Sequence, residues 1–416
     1  MSPTISGLLN QISRKARELL ESREGTAVER LLQRCHELVS SRGEASGLAL
    51  ASDVFEAYAA FDDTERLEFW LATEAQLGVD RSALLGAIDD YQADPEADPV
   101  WVHNASEPRR QELFRRLNSA PDGTVSLIRM RESLRGLALP AATAKRIHSD
   151  FVHLFSSWFN KGFLELRQIS WQTPADVLEK LIRYESVHEI QGWDDLRRRL
   201  AKDRRCFGYF HPAMPDEPLI FVEVALVKGM SGAIEPLLSA GEIDPEDADT
   251  AVFYSINNCQ AGLAQVSFGN FLIKQVVEVM RHTTPQIKTF VTLSPIPGLK
   301  RWVDSDPERC ARQQAGDEPF VGLCIEYLTS FERGRLIDPV ARFHLGNGAR
   351  LERINLSADS SEAGQSRSFG AMVNYLYEAD TIVKNHEALM ARGEVAVSPK
   401  LKSHRRAPVA ALRTKT

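Results

Sequence analysis

Cys206-Phe-Gly-Tyr-Phe210, followed by His211-Pro-Ala-Met-Pro-Asp-Glu-Pro218 and then Leu219-Ile-Phe-Val-Glu-Val-Ala-Leu-Val227, is the stretch on which this chain divides. Two runs rich in aromatic and β-branched residues flank a proline-rich connection, the pattern of two strands joined as a hairpin. Before this point the apolar spacing is helical; after it, strand-like runs alternate with helical ones. The chain is therefore read as α+β.

Working back toward the start, Thr26-Ala-Val-Glu29 has the form of a capping box, and Val28, Leu31, Leu32, Cys35 and Leu38 follow at helical spacing. Asp62 opens a second helix with Leu67, Trp70, Leu71 and Ala75 on one face. Further helices are expected over 81–91, 107–117, 124–137, 141–159 and 174–184, the last opened by Pro174, whose missing N–H costs nothing there. Residues 1–195 are expected to form an all-α domain, a kind that more often scaffolds or oligomerises than catalyses. Working forward, 251–256 reads as a strand and 271–281 as an apolar helix. Phe290-Val-Thr-Leu293 reads as a strand entering the proline-locked loop Ser294-Pro-Ile-Pro-Gly298. Segments 340–345 and 351–356 read as short strands about the turn Gly346-Asn-Gly348. The sheet-bearing domain is placed at 196–392. A basic tail at 393–416 lacks apolar periodicity and reads as mobile or loosely docked, a solvated terminus in preference to a membrane or nucleic-acid arm.

Composition narrows the function classes. With 57 Asp+Glu against 50 Lys+Arg the net charge is -7, which argues against a nucleic-acid partner. No apolar run approaches the ~18 residues of a membrane span, and the opening residues, with Glu18, Glu21 and Glu24, fit neither a secretory signal nor an acid-poor transit peptide. The last residues, Arg413-Thr-Lys-Thr416, are not a peroxisomal Ser-Lys-Leu address. The expectation is a cytoplasmic protein without membrane contact. The five cysteines include no CxxC pair, so free buried thiols are expected and not a disulfide framework. No HxxxH or HExxH spacing occurs among the histidines, so no metal site is expected.

Four places could carry chemistry. Gln260-Ala-Gly-Leu-Ala-Gln-Val-Ser-Phe-Gly-Asn-Phe-Leu-Ile-Lys274 is a glycine-containing loop entering a helix, a potential anion site whose glycines let the backbone approach a pyrophosphate. It can equally be ordinary turn chemistry. Ser294 follows a strand directly and is locked by Pro295 and Pro297, a well-held hydroxyl or a simple turn cap. His344 stands before a tight glycine turn, as a reactive imidazole or a hydrogen-bonded structural residue. Asn374-Tyr-Leu-Tyr377 places two phenols on one face of a strand or at offset positions of a helix, where core aromatics are the plain alternative.

Taken in order, Ser255-Ile-Asn-Asn-Cys-Gln260 with Gly269-Asn-Phe-Leu-Ile-Lys274, then Leu293-Ser-Pro-Ile-Pro-Gly-Leu-Lys-Arg-Trp302, Phe343-His-Leu-Gly-Asn-Gly-Ala349 and Asn374-Tyr-Leu-Tyr377, these motifs resemble the malonyl-CoA decarboxylase family. The resemblance begins at least by Ile169-Ser-Trp171 and Trp193 and continues through Arg204-Arg-Cys-Phe207 and Glu217-Pro-Leu219. It implies an acetyltransferase-like mixed-sheet catalytic domain that decarboxylates malonyl-CoA to acetyl-CoA and carbon dioxide without a cofactor. It carries the family's catalytic serine, histidine and tyrosine onto Ser294, His344 and Tyr377. It places the nucleotide end of coenzyme A at Gln260, Gly262, Leu263, Ser267, Gly269, Asn270 and Lys274, although Leu263 stands where the acetyltransferase phosphate signature has its first glycine. It also implies a homotetramer built through the helical domain. Two other functions stay open on the same fold: a CoA-dependent acyltransferase, and an acyl-CoA-binding protein without turnover.

Overall fold

The computed structural model describes residues 25–40, 44–239, 241–266 and 272–404. They form two compact units. One runs to Leu164 and takes in His211–Pro215 and the segment from Gln260; the other comprises Glu165–Phe210, Asp216–Cys259 and the chain from Phe268 onward.

The first unit is built of helices: Ala27–Ser40, Glu44–Ala60, Asp63–Leu77, Arg81–Ala93, Val100–Ser106, Arg109–Asn118, Gly123–Gly136 and Ala141–Trp158. The Thr26 capping box is present, with Glu29 N–H donating to Thr26 Oγ1 at 3.1 Å and Thr26 N–H to Glu29 Oε2 at 2.7 Å. Asp62 and Glu65 form a second one. The helices meet over Trp70, Phe114 and Phe151. The two phenyl rings stack at 4.2 Å, and the indole stands edge-on to them at 6.2 and 5.8 Å. Each such ring, fully desolvated, contributes on the order of 2–3 kcal/mol. Arg110, buried beside this cluster, pairs with Glu74 and Asp150.

The second unit centres on an eight-stranded sheet: β1 Glu165–Ile169, β2 Arg204–Phe210, β3 Ile220–Val227, β4 Thr250–Asn258, β5 Thr289–Thr292, β6 Ser294–Pro295, β9 Arg350–Asn355 and β10 Met372–Leu376. A separate two-stranded hairpin pairs β7 Phe331–Glu332 with β8 Arg335–Leu336. The sheet order is β1-β2-β3-β4-β5-β10-β6, with β9 paired to β10. It is mixed, as the resemblance implies: β4 and β5 run parallel and the other pairs antiparallel. The nearly continuous apolar run of β3 follows from its place, since its residues are buried on both faces up to Leu226. Its single charged side chain, Glu223, is met by Arg199 Nη1 at 2.9 Å. Removing either partner of such a buried pair typically costs about 3–5 kcal/mol.

Two readings of the chain are corrected. The stretch to residue 195 is not wholly helical, because Glu165-Leu-Arg-Gln-Ile169 is a strand whose register pairs Ile169 with Cys206. Five residues with two charges carry little strand signal of their own; pairing with β2 supplies it. The segment 340–345 is not a strand but lies in the helix Pro339–Gly346. Asp338 caps that helix, accepting from Ala341 N–H at 2.7 Å, with Pro339 at its first position. The Asp-Pro start signal outweighs the apolar composition of the segment. Tyr375 belongs to strand β10, with Tyr377 just beyond it, so the helical option for that pair is closed.

Candidate active site

β5 delivers Thr292 to the edge of the loop, and Ser294 follows two residues on, on the same side of the extended chain. β10 lies antiparallel to this segment, pairing Val291 with Leu376 and Ser294 with Val373. Between those pairs the ladder is completed by side chains: Tyr375 N–H donates to Thr292 Oγ1 at 3.1 Å, and Asn374 Nδ2 donates to the Thr292 carbonyl at 2.7 Å. Asn374 is held in turn by Arg353 Nε at 2.9 Å and Asn355 Nδ2 at 2.8 Å, both donating to its Oδ1.

His344 comes from the last turn of the helix Pro339–Gly346. The turn beyond it is fixed by Gly348, which has φ +86°; a Cβ there would stand 2.1 Å from the Ile382 carbonyl oxygen. From this position the imidazole reaches two hydroxyls. Nε2 is 3.2 Å from Ser294 Oγ and Nδ1 is 2.9 Å from the Tyr377 hydroxyl. The Tyr375 ring stacks against it at 4.7 Å with an interplanar angle of 24°. Ser294 Oγ also donates to Thr292 Oγ1 at 2.9 Å. Ser294, His344 and Tyr377 are all buried, at 6%, 3% and 3% exposure, so each hydrogen bond works in a medium of low polarity.

Burial sets the protonation states. The His344 imidazole is pushed down to about 3, because no charge compensates its desolvation, and it is neutral at physiological pH. Burial holds the Tyr377 phenol well above its ordinary range, so it keeps its proton. The Asp338 carboxyl is pushed up to about 6 by the same cause. The arrangement can therefore offer an uncharged imidazole N–H and a hydroxyl to an oxygen that gains negative charge. Among the described residues no cluster of His, Cys, Asp or Glu could hold a metal ion.

The remaining residues of interest are distributed differently. Gln260, Gly262 and Leu263 belong to the first unit, where Ala261–Leu263 is one turn of 3-10 helix. The Gly262 carbonyl accepts from Arg131 Nη1 at 2.7 Å, and a Cβ at Gly262 would stand 2.2 Å from the Ile128 carbonyl oxygen. The close approach this glycine permits within the first unit is to the helix Gly123–Gly136. Leu263 is buried beside it. Lys274 is half-buried near the start of the helix Leu272–Thr283, its ammonium lowered by burial. Ser267, Gly269 and Asn270 lie outside the described residues. Thr292 joins the site only through the fold, and its i, i+2 relation to Ser294 is the signal the sequence carries for it.

The family description "Malonyl-CoA decarboxylase C-terminal domain" matches residues 162–323 and 316–415, and "Malonyl-CoA decarboxylase N-terminal domain" matches 77–159. The mitochondrial malonyl-CoA decarboxylase of the goose Anser anser anser is 34% identical, over 71% of this chain and 69% of its own. The crystal structure of malonyl-CoA decarboxylase from Rhodopseudomonas palustris superposes with a TM-score of 0.86 at 46% identity, covering 91% of this chain and 100% of that one. That of the Agrobacterium vitis enzyme gives 0.84 at 48% identity, with the same coverage. On these matches, the chain belongs to the malonyl-CoA decarboxylase family of carboxy-lyases.

Proposed function

We propose that the protein converts malonyl-CoA to acetyl-CoA and carbon dioxide at Ser294, His344 and Tyr377. The observation that carries this is the hydroxyl–imidazole–phenol chain, closed at 3.2 and 2.9 Å and shielded from solvent. In the reaction the C2–carboxylate bond breaks, and its electron pair passes through C2 to the thioester oxygen, giving an enolate. A proton taken ultimately from solvent is then delivered to C2. The thioester is its own electron sink, so the step needs no cofactor. A fixed donor beside a developing oxyanion is commonly worth about 3–4 kcal/mol.

In this reading the neutral His344 donates its N–H toward the enolate oxygen. As that proton passes to C2, the other ring nitrogen takes up the Tyr377 hydroxyl proton, which solvent then replaces, so the ring stays neutral. Ser294 hydrogen-bonds His344 and orients the carboxylate for departure, and Tyr377 holds the far ring nitrogen. A proton-transfer group in such a position adds about 10²–10⁴-fold. The nucleotide end of coenzyme A is assigned to Gln260, Gly262, Leu263, Ser267, Gly269, Asn270 and Lys274, and its remote binding energy enforces geometry at the reacting end. Assembly as a homotetramer is part of the same proposal and rests on the family resemblance. The test is carbon dioxide release from malonyl-CoA with no acceptor present, which separates decarboxylation from acyl transfer. Folded Ser294→Ala and His344→Asn variants are expected to lose at least about 100-fold in kcat; rates near the parent in both would overturn the assignment.

A further inference from the structure

We infer that Thr292 is a positioning residue that selects the tautomer of His344, anchoring its proton on Nε2 through the Ser294 hydroxyl. The inference rests on the proposed site and concerns a residue that need not touch the substrate.

One group beside the site has no choice of role. A backbone N–H can only donate, and that of Tyr375 is committed to Thr292 Oγ1 at 3.1 Å. Thr292 is fully buried, so this contact fixes the orientation of its hydroxyl oxygen. The second lone pair of Thr292 Oγ1 receives the proton of Ser294 Oγ at 2.9 Å. With its proton directed to Thr292, Ser294 Oγ faces His344 as an acceptor. The 3.2 Å contact is then satisfied by Nε2–H donating to Ser294. Nδ1 is left as an acceptor for the Tyr377 hydroxyl at 2.9 Å. The opposite tautomer would turn Nδ1–H toward the phenol and leave the buried Tyr377 proton without an acceptor. Burial also keeps His344 uncharged, so the position of one proton is the only freedom the ring has. A strand-ladder contact is thereby converted into the direction of a hydrogen bond at the imidazole. The consequence for chemistry is that the N–H lies on the Ser294 side of the ring before substrate arrives.

A plain alternative is that Thr292 merely satisfies the Tyr375 N–H and has no bearing on the imidazole. Nitrogen-15 NMR of the histidine rings in the full-length protein separates the two, with His344 identified by the signals lost in His344→Asn. The parent protein is expected to carry its His344 proton on Nε2, and Tyr377→Phe is expected to keep it there, since the anchor lies at the other end of the chain. Thr292→Val is expected to mix the tautomers and lower kcat by about tenfold, the value of one ordinary hydrogen bond. KM should stay within about threefold, and Thr292→Ser should restore both readouts. A parent protein with its proton on Nδ1, a proton that moves in Tyr377→Phe, or a folded Thr292→Val variant with unchanged tautomer and kcat would overturn the inference. The Tyr377→Phe and parent measurements stand even if Thr292→Val does not fold. Full activity in Ser294→Ala and His344→Asn would instead overturn the proposed function and leave the tautomer result intact.

Discussion

Lowering the pH from 7.5 to 5 is expected to destabilise the sheet-bearing unit through His344 alone by about 2 kcal/mol. In the unfolded chain this imidazole takes up a proton near 6.5, whereas in the folded protein burial delays protonation to about 3. Between those values the unfolded state binds more protons, so stability falls as the pH falls; above about 7.5 the group contributes no slope. Each pH unit in the window is worth 1.36 kcal/mol, and the full separation is on the order of 5 kcal/mol. The physical source is desolvation: among the described residues His344 meets hydroxyls and aromatic rings, with no carboxylate beside it to favour the cation. Equilibrium urea unfolding, followed by far-ultraviolet circular dichroism at half-unit steps from pH 7.5 to 5, would be run on the parent and on His344→Asn. Asparagine does not titrate, so subtracting the two curves removes every other ionisable group. Whatever the constant offset between them, the parent should lose about 2 kcal/mol more than the variant over this range. Parallel curves, or a parent that gains relative to the variant as pH falls, would show that the imidazole is solvated or paired, and the neutral-imidazole account would fail.

Two glycines provide independent tests. Gly348→Ala must hold a side chain at φ +86° and place its Cβ 2.1 Å from a backbone oxygen of Ile382 that cannot swing away; a loss of at least about 3 kcal/mol in thermal unfolding is expected, with activity falling because the turn sets the end of the His344 helix. Gly262→Ala meets the Ile128 carbonyl oxygen at 2.2 Å and should destabilise the helical unit by about 2–3 kcal/mol. A variant of normal stability with only a raised KM for malonyl-CoA would show that this glycine serves the nucleotide and not the packing.

Much of the architecture could be read from local pattern. The capping boxes at Thr26 and Asp62, the apolar periodicity of the helix Ala27–Ser40 and the nearly continuous run of β3 each announce their element within one stretch of chain. For β1 and the helix Pro339–Gly346 the decisive signal is remote or competing. β1 has too little strand signal to stand without β2, and Pro339-Val-Ala-Arg-Phe-His344 has apolar residues compatible with a strand until the Asp338 cap is given its weight.

The candidate site divides along the same line. The motifs around Ser294, His344 and Tyr377 were visible as residue types in an order, because that much is written consecutively in the chain. Their meeting was not, since 50 residues separate the serine from the histidine, and only the pairing of β10 with β5 and β6 and the docking of the helix Pro339–Gly346 close that gap. The same holds for the neutral state of the imidazole, the part played by Thr292 and the use of Gly262 as a helix contact. Periodicity and capping depend on neighbours a few positions away, and so the sequence by itself determined part of the helices, most strands and the candidate groups. Desolvation and hydrogen-bond direction depend on what surrounds an atom in space, and those the tertiary structure alone decided.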